Sequence, residues 1–381
     1  RTGIMTGASG RVNLLDLAAA SLSSVMEVSA PIRELNPLYT NNHKIKNNKQ
    51  ISSDLKSHIK VDGTIVTTAD ALAQRIIIRA LRRVSTHVRI VGEESAEDVK
   101  QLQDEQMQNC LEKLQNDQQD FSIEAKKELM KRRNTSRREA DGFIRNMALE
   151  DDEVDASLVS IFVDPLDGTK KYAEGDFDVV TILIGIVVRN RPCFGIICKP
   201  FGQSTCLQTS SWGDPECFVV YGGVLVDGVY HAGGAEIRKS ISYKLSDAIP
   251  NIPSSGRAII SSSRSGGIVR KCVDYLSQLG LLHQDPLMVS GAGEKSLRLI
   301  LSEREETLWF FPKPATFLWD VAAGDAMLRV MGGRLSDKSG KDMDYSKSHL
   351  EAKNIQGIVA SNDASLHAKC IQAYELEQWE D

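Results

Sequence analysis

The stretch Ile161-Phe162-Val163-Asp164-Pro165-Leu166-Asp167-Gly168-Thr169-Lys170 joins an apolar run to a short acidic turn. The apolar residues from 158 to 163 predict a buried β-strand. The proline fixes φ and offers no N–H, and the glycine permits a backbone conformation that other residues resist. We therefore expect a stiff turn at a strand end, with both aspartates, a carbonyl between them and the Thr169 hydroxyl facing one point.

Such a turn offers hard oxygen ligands, the kind that Mg²⁺, Mn²⁺ and Ca²⁺ prefer. Asp, Pro and Gly are also common in ordinary turns, so an acidic surface turn is the alternative interpretation. The rest of the chain decides between the two.

The 381 residues are 41% hydrophobic and 25% charged, which is typical of a globular protein with one large domain or two ordinary ones. The formal net charge of −5 provides no basic field, so we expect no nucleic-acid polymer as a partner. We also expect no membrane partner, because no apolar run approaches the roughly 20 residues that span a bilayer.

Seven cysteines are scattered along the chain without a Cys-x-x-Cys pair, so neither a zinc ribbon nor a thioredoxin motif is predicted. Reduced structural thiols favour an intracellular compartment. Together with the lack of a recognisable signal peptide, they lead us to expect a cytoplasmic protein.

Apolar residues between 12 and 35 recur at spacings of three and four. This pattern predicts an amphipathic helix, which Pro31 should disturb near its far end. The polar residues 39 to 60 that follow predict a loop.

Two acidic positions follow this loop. Thr67 or Thr68 should cap a helix with Asp70 in its first turn, where a carboxylate is favourable to the helix dipole without any further role. A short strand from 87 to 91 then ends in Gly92-Glu93-Glu94. The two glutamates suit either a metal or water-activating site or a solvated acidic loop.

Residues 96 to 155 are dominated by charged and amide side chains, with sparse apolar positions. They predict a solvated helical insertion, partly disordered. A polyanion-binding arm is the alternative, which the lack of interleaved aromatic residues disfavours.

The apolar runs 179–188 and 193–198 predict two strands of a hairpin, and hence a largely antiparallel sheet. A polar stretch then predicts a boundary near residue 253. An N-terminal α+β part, residues 1–253, would carry the insertion and the metal site. A C-terminal α/β part, residues 254–381, would complete the substrate site.

Two strand-to-helix turns in the C-terminal part suit an anion, because free N–H groups collect there. The first runs from Ser261 to Gly267 and is rich in hydroxyls. The second is Ser290-Gly291-Ala292-Gly293-Glu294-Lys295, whose spacing is not that of a P-loop.

Trp319-Asp320 opens a further helix, so Asp320 is either a helix cap or a member of an acidic cluster. Active-site groups of α/β proteins collect at strand ends and helix starts, where the candidate carboxylates lie. Five close carboxylates would repel one another unless cations intervened. About two or three divalent ions would neutralise them and also bind a phosphate.

Three motifs together resemble the signature of the lithium-sensitive, Mg²⁺-dependent phosphomonoesterases: Asp164-Pro165-Leu166-Asp167-Gly168-Thr169, Gly92-Glu93-Glu94, and Trp319-Asp320 with its following helix and glycine pair. The resemblance spans about residues 60 to 340, apart from the insertion. It implies an inositol monophosphatase-like fold of alternating helix and sheet layers, combining α+β and α/β organisation. It also implies two or three Mg²⁺ ions per active site, inhibition by Li⁺ and a small phosphorylated substrate.

The same resemblance implies a role for each matched residue. The metal ligands would be Glu93, Asp164, the Leu166 carbonyl, Asp167 and Asp320. Asp70 and Thr169 would orient and deprotonate the attacking water, with Glu94 nearby. The substrate would contact Gly168, Ser263, Arg264, Ser290, Gly291 and Lys295.

The spacing from Asp167 to Gly175 resembles the bisphosphate nucleotidase branch, which removes the 3′-phosphate of adenosine 3′,5′-bisphosphate to give AMP. Two departures keep the inositol polyphosphate 1-phosphatases, which act on inositol 1,4-bisphosphate, as the alternative. Gly266 stands where nucleotidases often carry a His, and the stretch between Glu94 and Asp164 is long. A catalytically silent metal- or phosphate-binding homologue is a third possibility.

Overall fold

The computed structural model describes residues 10–44, 57–60, 65–102, 107–112, 121–133, 153–202, 216–226, 228–232, 236–239, 256–262 and 265–377. The strands are β1 (Arg11–Asn13), β2 (Ser57–Ile59), β3 (Ile65–Thr67), β4 (Arg89–Gly92), β5 (Glu153–Asp155), β6 (Val159–Asp167), β7 (Thr181–Val188), β8 (Arg191–Lys199), β9 (Phe218–Gly223), β10 (Gly228–His231), β11 (Glu236–Lys239), β12 (Arg257–Ser261), β13 (Leu287–Val289), β14 (Glu306–Phe311), β15 (Thr316–Phe317), β16 (Arg334–Ser336), β17 (Lys353–Asn354) and β18 (Ile358–Ser361). The helices are α1 (Leu14–Leu35), α2 (Pro37–Lys44), α3 (Thr68–Val84), α4 (Ala96–Gln101), α5 (Ser122–Lys131), α6 (Thr169–Glu174), α7 (Ile268–Gln278), α8 (Ala292–Leu301), α9 (Leu318–Val330) and α10 (Ala364–Glu377).

A seven-stranded sheet in the order β11-β10-β9-β8-β7-β6-β4 carries the central acidic turn. Its pairs are antiparallel except β4 with β6, so the predicted antiparallel sheet and hairpin are confirmed. Side chains alternate between its two faces, as the strand period requires. Ile161 and Val163 enter one hydrophobic core, and Phe162 enters the other.

Helix α1 packs against one face of this sheet and is buried around most of its circumference. The predicted amphipathic helix is therefore wrong on this point, because the small residues opposite the leucines are buried as well. The serine hydroxyls there donate to carbonyls of the preceding turn, as Ser21 does to Leu17 at 2.7 Å and Ser29 to Val25 at 2.6 Å. The helix also continues through Pro31 to Leu35 rather than being broken there.

By length and composition α1 is long and apolar enough to cross a membrane, contrary to the expectation that no run reaches that length. However, 83% of its most apolar window is buried inside the protein. A core helix of a globular protein meets the same criteria, and the residues of α1 belong to the hydrophobic core.

Helix α9 covers the opposite face of the sheet, at a point where two strands have no side chains. A Cβ atom on Gly185 would lie 2.5 Å from Ala322 Cβ, and one on Gly195 would lie 2.1 Å from the Ala323 carbonyl oxygen. These glycines are cross-strand neighbours in β7 and β8. Their missing side chains let the helix approach the sheet closely, which fixes the position of its first turn.

A second sheet, in the order β13-β12-β14-β18-β16, lies on the other side of α8 and α9. Its pairs β12–β13 and β12–β14 are parallel, and the remaining two are antiparallel. Helices α7 and α10 pack together on the same core. The predicted alternation of helix and sheet layers is confirmed.

Part of the insertion at 96–155 is described, and it is not a purely solvated arm. Helix α5 packs against α1, with Ala125 and Leu129 fully buried. Arg132 donates to Glu128 at 2.9 Å and lies over the Tyr230 ring at 5.0 Å from its centroid. These contacts attach the insertion to the edge of the seven-stranded sheet.

The predicted loop at 39–60 is wrong at both of its ends, because α2 extends to Lys44 and β2 pairs with β3. The predicted domain boundary near 253 lies outside the described residues and remains a prediction.

Candidate active site

The predicted acidic turn is an irregular continuation of β6, which extends to Asp167 rather than ending before Asp164. Asp164 is 1% exposed and its Oδ1 accepts the Leu166 N–H at 3.1 Å. The pairing of β6 with β7 shifts register between Asp164 and Asp167. Gly168 has φ +89°, a left-handed conformation that suits glycine, and α6 begins immediately after it. The turn therefore fixes both aspartates at the strand end.

Asp167 is held from the C-terminal part of the chain. Its Oδ2 accepts the Thr181 hydroxyl at 3.1 Å and the Gly293 N–H, at the start of α8, at 2.7 Å. Gly291 has φ +76°, and a Cβ there would lie 2.9 Å from the same carboxylate oxygen. The second glycine-rich turn thus packs directly on an acidic residue of the central turn.

Asp70 has two distinct contacts, one for each carboxylate oxygen. Oδ2 accepts the Thr67 N–H at 2.8 Å and the Thr67 hydroxyl at 2.5 Å, which caps helix α3. Oδ1 accepts the Thr169 hydroxyl at 2.8 Å. The same hydroxyl lies 3.0 Å from the Leu166 carbonyl oxygen, so its single proton has two acceptors.

Burial raises the pKa of Asp70 to about 6; the negative charge of Glu93 adds to this, while the hydrogen bonds from Thr67 and Thr169 oppose it. The helix-capping interpretation of Asp70 is confirmed, and its other oxygen contacts Thr169, so a reactive role for Asp70 stays a prediction.

Glu93 and Glu94 follow β4 and share one cation. Lys60 Nζ lies 3.1 Å from Glu93 Oε1 and 2.8 Å from Glu94 Oε1. Gln74 binds the backbone of Glu94 at both its N–H and its carbonyl. The other carboxylate oxygen of Glu94, Oε2, is buried and has no hydrogen-bond partner.

Desolvation, with the charges of Asp70 and Glu93, raises the pKa of Glu94 to about 9. Burial disfavours the charged form of Lys60, but the two glutamates outweigh it and raise its pKa. Glu94 is thus a buried carboxyl group rather than part of a solvated loop.

Asp320 lies in the first turn of α9, where its Oδ2 accepts the Phe317 N–H at 2.7 Å. The predicted alternatives, helix cap and acidic-cluster member, are both realised. Desolvation raises the pKa of Asp320, and the charges of Asp167 and Glu93 raise it further. Burial likewise raises the pKa of Asp164, and three neighbouring negative charges raise it further: those of Glu93, Asp167 and Asp320.

The carboxyl group of Asp164 lies near those of Glu93 and Asp320, whose negative charges add to the effect of burial on its pKa. Contacts between acidic groups require a shared proton or a bound cation. Among the described residues, no three acidic, His or Cys side chains are already gathered around one metal position. The hard oxygen donors, their mutual repulsion and the unpaired oxygen of Glu94 nevertheless suit a divalent cation.

The predicted substrate turns lie beside this cluster. Ser290 and Ser262 follow adjacent parallel strands, and their hydroxyl oxygens are 2.5 Å apart. Lys295 is 6% exposed and donates to the Gly291 carbonyl at 2.8 Å, and its charge acts on Asp167. Ser263 and Arg264 lie outside the described residues.

Sequence reasoning missed two residues that contact the acidic cluster. Lys60 belongs to the segment predicted as a loop, where no spacing distinguished it from the other lysines. His349 Nε2 lies 3.1 Å from the Glu93 carbonyl oxygen, and 256 positions separate the two residues. No local signal in the sequence indicates a contact over that distance.

A family model described as "Inositol monophosphatase family" matches residues 40–376. A Dictyostelium discoideum protein named 3′(2′),5′-bisphosphate nucleotidase 1 is 28% identical, covering 94% of this chain and 96% of its own. A bovine protein named Golgi-resident adenosine 3′,5′-bisphosphate 3′-phosphatase is 26% identical over an aligned region. That region covers 57% of this chain and 52%, about half, of the bovine protein. The structure of inositol monophosphatase II from Staphylococcus aureus is similar in fold, with a TM-score of 0.54 at 13% identity, covering 95% of this chain and 96% of its own.

The family match and the names of these relatives define the class of the protein as a phosphoric monoester hydrolase. Within that class, the chain belongs to the inositol monophosphatase family, whose model covers most of its length. Members of this family are generally Mg²⁺-dependent and sensitive to Li⁺.

Proposed function

We propose that this chain removes the 3′-phosphate of adenosine 3′,5′-bisphosphate, giving AMP and inorganic phosphate in a Mg²⁺-dependent, Li⁺-sensitive reaction. The observation that carries the proposal is the 2.8 Å hydrogen bond from Thr169 to Asp70 beside the partly buried acidic cluster. The choice of a nucleotide substrate is supported by the names of the Dictyostelium and bovine relatives.

The proposed ligands of two or three Mg²⁺ ions are Glu93, Asp164, the Leu166 carbonyl, Asp167 and Asp320. When bound, such ions lower the pKa of water and stabilise charge on the leaving oxygen. The protein contributes the fixed carboxylates: Asp167 through Thr181 and Gly293, and Asp320 through the start of α9.

Thr169 and Asp70 are proposed to handle the attacking water. The hydroxyl oxygen of Thr169 accepts a hydrogen bond from the water while its own proton points to Asp70 Oδ1. Asp70 is immobile, because its second oxygen is engaged in the cap of α3. Glu94 lies behind this pair as a buried, Lys60-bound carboxyl group.

The substrate is proposed to contact the backbone at Gly168 and Gly291 and the side chains of Ser290 and Lys295. Ser263 and Arg264 complete this proposal from outside the described residues. Ser262 joins the set because its hydroxyl is within 2.5 Å of that of Ser290.

Parallel assays of phosphate release test the substrate. Adenosine 3′,5′-bisphosphate and inositol 1,4-bisphosphate are compared with Mg²⁺ and then with added Li⁺, and the ratio of kcat/KM values decides between them. We expect a clear preference for the nucleotide and loss of activity with Li⁺. Preference for the inositol phosphate would favour the alternative branch, and no release from either would favour a silent homologue.

A pair of variants tests the role of Thr169. Thr169→Ala removes the hydroxyl and is expected to lower kcat by about 10²-fold or more, whereas Thr169→Ser keeps the hydroxyl and most of the activity. Equal activity in the two variants would contradict the proposed role.

A cytoplasmic location remains part of the proposal. The scattered spacing of the cysteines suits structural thiols in a reducing compartment. In the described part of the chain six of them are buried: Cys110, Cys193, Cys198, Cys217, Cys272 and Cys370. The alternative compartment is the Golgi, where the name of the bovine relative places that protein. Microscopy of the tagged full-length protein in its native cells distinguishes the two.

A further inference from the structure

Residues 345–354, here called the bridging segment, lie between two elements that carry proposed metal ligands. Strand β4 ends immediately before Glu93, and helix α9 begins two residues before Asp320. The bridging segment is attached to both elements, far along the chain from the first of them.

The attachment to β4 is made by Arg89. Its guanidinium donates to the backbone carbonyls of Tyr345, Ser346 and Lys347, at 3.0 Å for Ser346 and 2.6 Å for Lys347. Its Nε also donates to Ser160 on the neighbouring strand at 2.8 Å. The start of the segment is therefore fixed to the strand that leads into Glu93.

The attachment to α9 is made by backbone pairing. Strand β17 pairs with β15, just before the helix, and the Leu318 N–H donates to the Ala352 carbonyl at 3.0 Å. The end of the segment is therefore fixed to the first residue of the helix that carries Asp320.

His349 lies between these two attachments. Its Nε2 is 3.1 Å from the Glu93 carbonyl oxygen, and because a carbonyl has no proton to give, Nε2 must be the donor. Its ring stacks on Trp319 with centroids 5.4 Å apart and planes 23° apart. Trp319 stacks in turn on Phe317, with centroids 4.7 Å apart, and the Phe317 N–H binds the Asp320 carboxylate.

A continuous line of contacts thus runs from the Glu93 backbone through three stacked rings to the Asp320 carboxylate. The turn that presents His349 is itself closed, because Glu351 accepts the Ser348 hydroxyl at 2.7 Å and its N–H at 3.3 Å. His349 is nevertheless exposed, so its loss opens no cavity in the core.

We infer that His349 is a positioning residue that holds the elements carrying Glu93 and Asp320 at a fixed separation within the proposed metal site. The inference rests on the proposed metal site. Groups that orient metal ligands affect metal affinity by about 10- to 100-fold.

Three variants of the full chain test it. His349→Ala removes both the donor and the stacked ring, and His349→Phe keeps the ring alone. Leu350→Ala is the matched control on the same turn, because Leu350 is 91% exposed. For each, we would measure Mg²⁺ affinity by calorimetry without substrate, the Tm in EDTA, and kcat at saturating Mg²⁺.

We expect Mg²⁺ affinity to fall about tenfold or more in His349→Ala and by less in His349→Phe. Leu350→Ala should match the unmodified protein. The Tm in EDTA and kcat at saturating Mg²⁺ should change little, whereas a purely structural role would lower the Tm and leave Mg²⁺ affinity unchanged.

Two results would overturn the inference. Unchanged Mg²⁺ affinity in a folded His349→Ala or His349→Phe variant would reject the positioning role of His349. It would leave the proposed function of the protein intact. An unmodified protein that binds no Mg²⁺ would reject both the positioning role and the metal-dependent function.

Discussion

Helix α9 carries two carboxylates five positions apart, the partly buried Asp320 and the fully buried Asp325, and their surroundings are opposite. Asp325 is fully buried, yet it receives the Arg329 guanidinium at 2.7 and 3.3 Å and the Tyr345 hydroxyl at 2.9 Å. Asp320 lies among Glu93, Asp164 and Asp167, whose charges add to its own.

The pKa of both residues is raised by burial, but the balance of the other contributions differs. At Asp325 the charge and hydrogen bonds of Arg329 oppose the rise in pKa. At Asp320 the neighbouring carboxylates increase it. A buried acid with its own cation needs nothing further, whereas a partly buried acid among other acids indicates that a cation is supplied from outside.

The largest expected effect of a substitution is on activity at Asp320. Asp320→Asn should lower kcat/KM at least about 10³-fold, equivalent to ~4 kcal/mol of transition-state stabilisation. Because the change removes a repelling charge, the Tm in EDTA should stay the same or rise. Phosphate-release kinetics and thermal melting check this, and a variant with a tenth or more of normal activity would refute the assignment.

The matching change at Asp325, the acid that is paired with Arg329, should affect stability rather than activity. Asp325→Asn leaves Arg329 with a weaker partner and should cost about 3 kcal/mol of unfolding free energy, while the folded fraction keeps its activity. Denaturant unfolding measures this. Asp342→Asn, at the exposed end of the same arginine, is the control and should cost under about 1 kcal/mol. Equal costs for the two variants would contradict the comparison.

Lys60 is a cation that already contacts two carboxylates at the edge of the acidic cluster. Lys60→Met removes the cation that contacts Glu93 and Glu94, so the Mg²⁺-free protein should lose about 2 kcal/mol of stability. Lys60→Arg, which keeps the charge, should lose less. Thermal melting in EDTA tests both variants, and an unchanged Tm in Lys60→Met would show that the two glutamates are not balanced by this lysine.

His367 represents a third kind of buried ionisable group, one kept neutral. Burial and the charge of Arg334 lower the pKa of His367 to about 4, whereas the unfolded chain takes up the proton near pH 6.5. The unfolded state therefore binds more protons between these values, so stability falls as the pH decreases. After allowance for solvent screening, we expect His367 by itself to contribute a loss of about 1 kcal/mol from pH 7 to pH 5, whereas Asp70 and Glu94, whose pKa values are raised, act in the opposite direction.

Denaturant unfolding at both pH values, with His367→Gln alongside, checks this prediction. The change in unfolding free energy from pH 7 to pH 5 should be more favourable in the variant than in the unmodified protein, by the contribution of His367. An equal change in the two proteins would assign the pH dependence to other groups.

Local patterns predicted much of the fold and of the site. The apolar run before Asp164, the turn through Gly168 and the hairpin from Val179 to Cys198 depend on residues that are near in sequence. The capping of α3 by Thr67 is local for the same reason. The structure accordingly brings Thr169 into contact with Asp70. It also places four acidic candidates near one another: Glu93, Asp164, Asp167 and Asp320.

Features that depend on distant packing were not predictable in this way. The spacing of leucines in α1 does not show that the opposite, serine- and alanine-rich side is buried as well. Gly185 and Gly195 appear as ordinary strand glycines until α9 is placed against them. His349 reaches Glu93 only because β4, α9 and the bridging segment meet in three dimensions.

The most direct test of the central claim is a calorimetric titration of the unmodified protein with MgCl₂, without substrate, alongside Asp320→Asn and Asp325→Asn. We predict saturable binding in the unmodified protein and in Asp325→Asn, and binding at least about tenfold weaker in Asp320→Asn. No binding by the unmodified protein, or equal binding by all three, would contradict the claim that the uncompensated acidic cluster is a site for divalent cations.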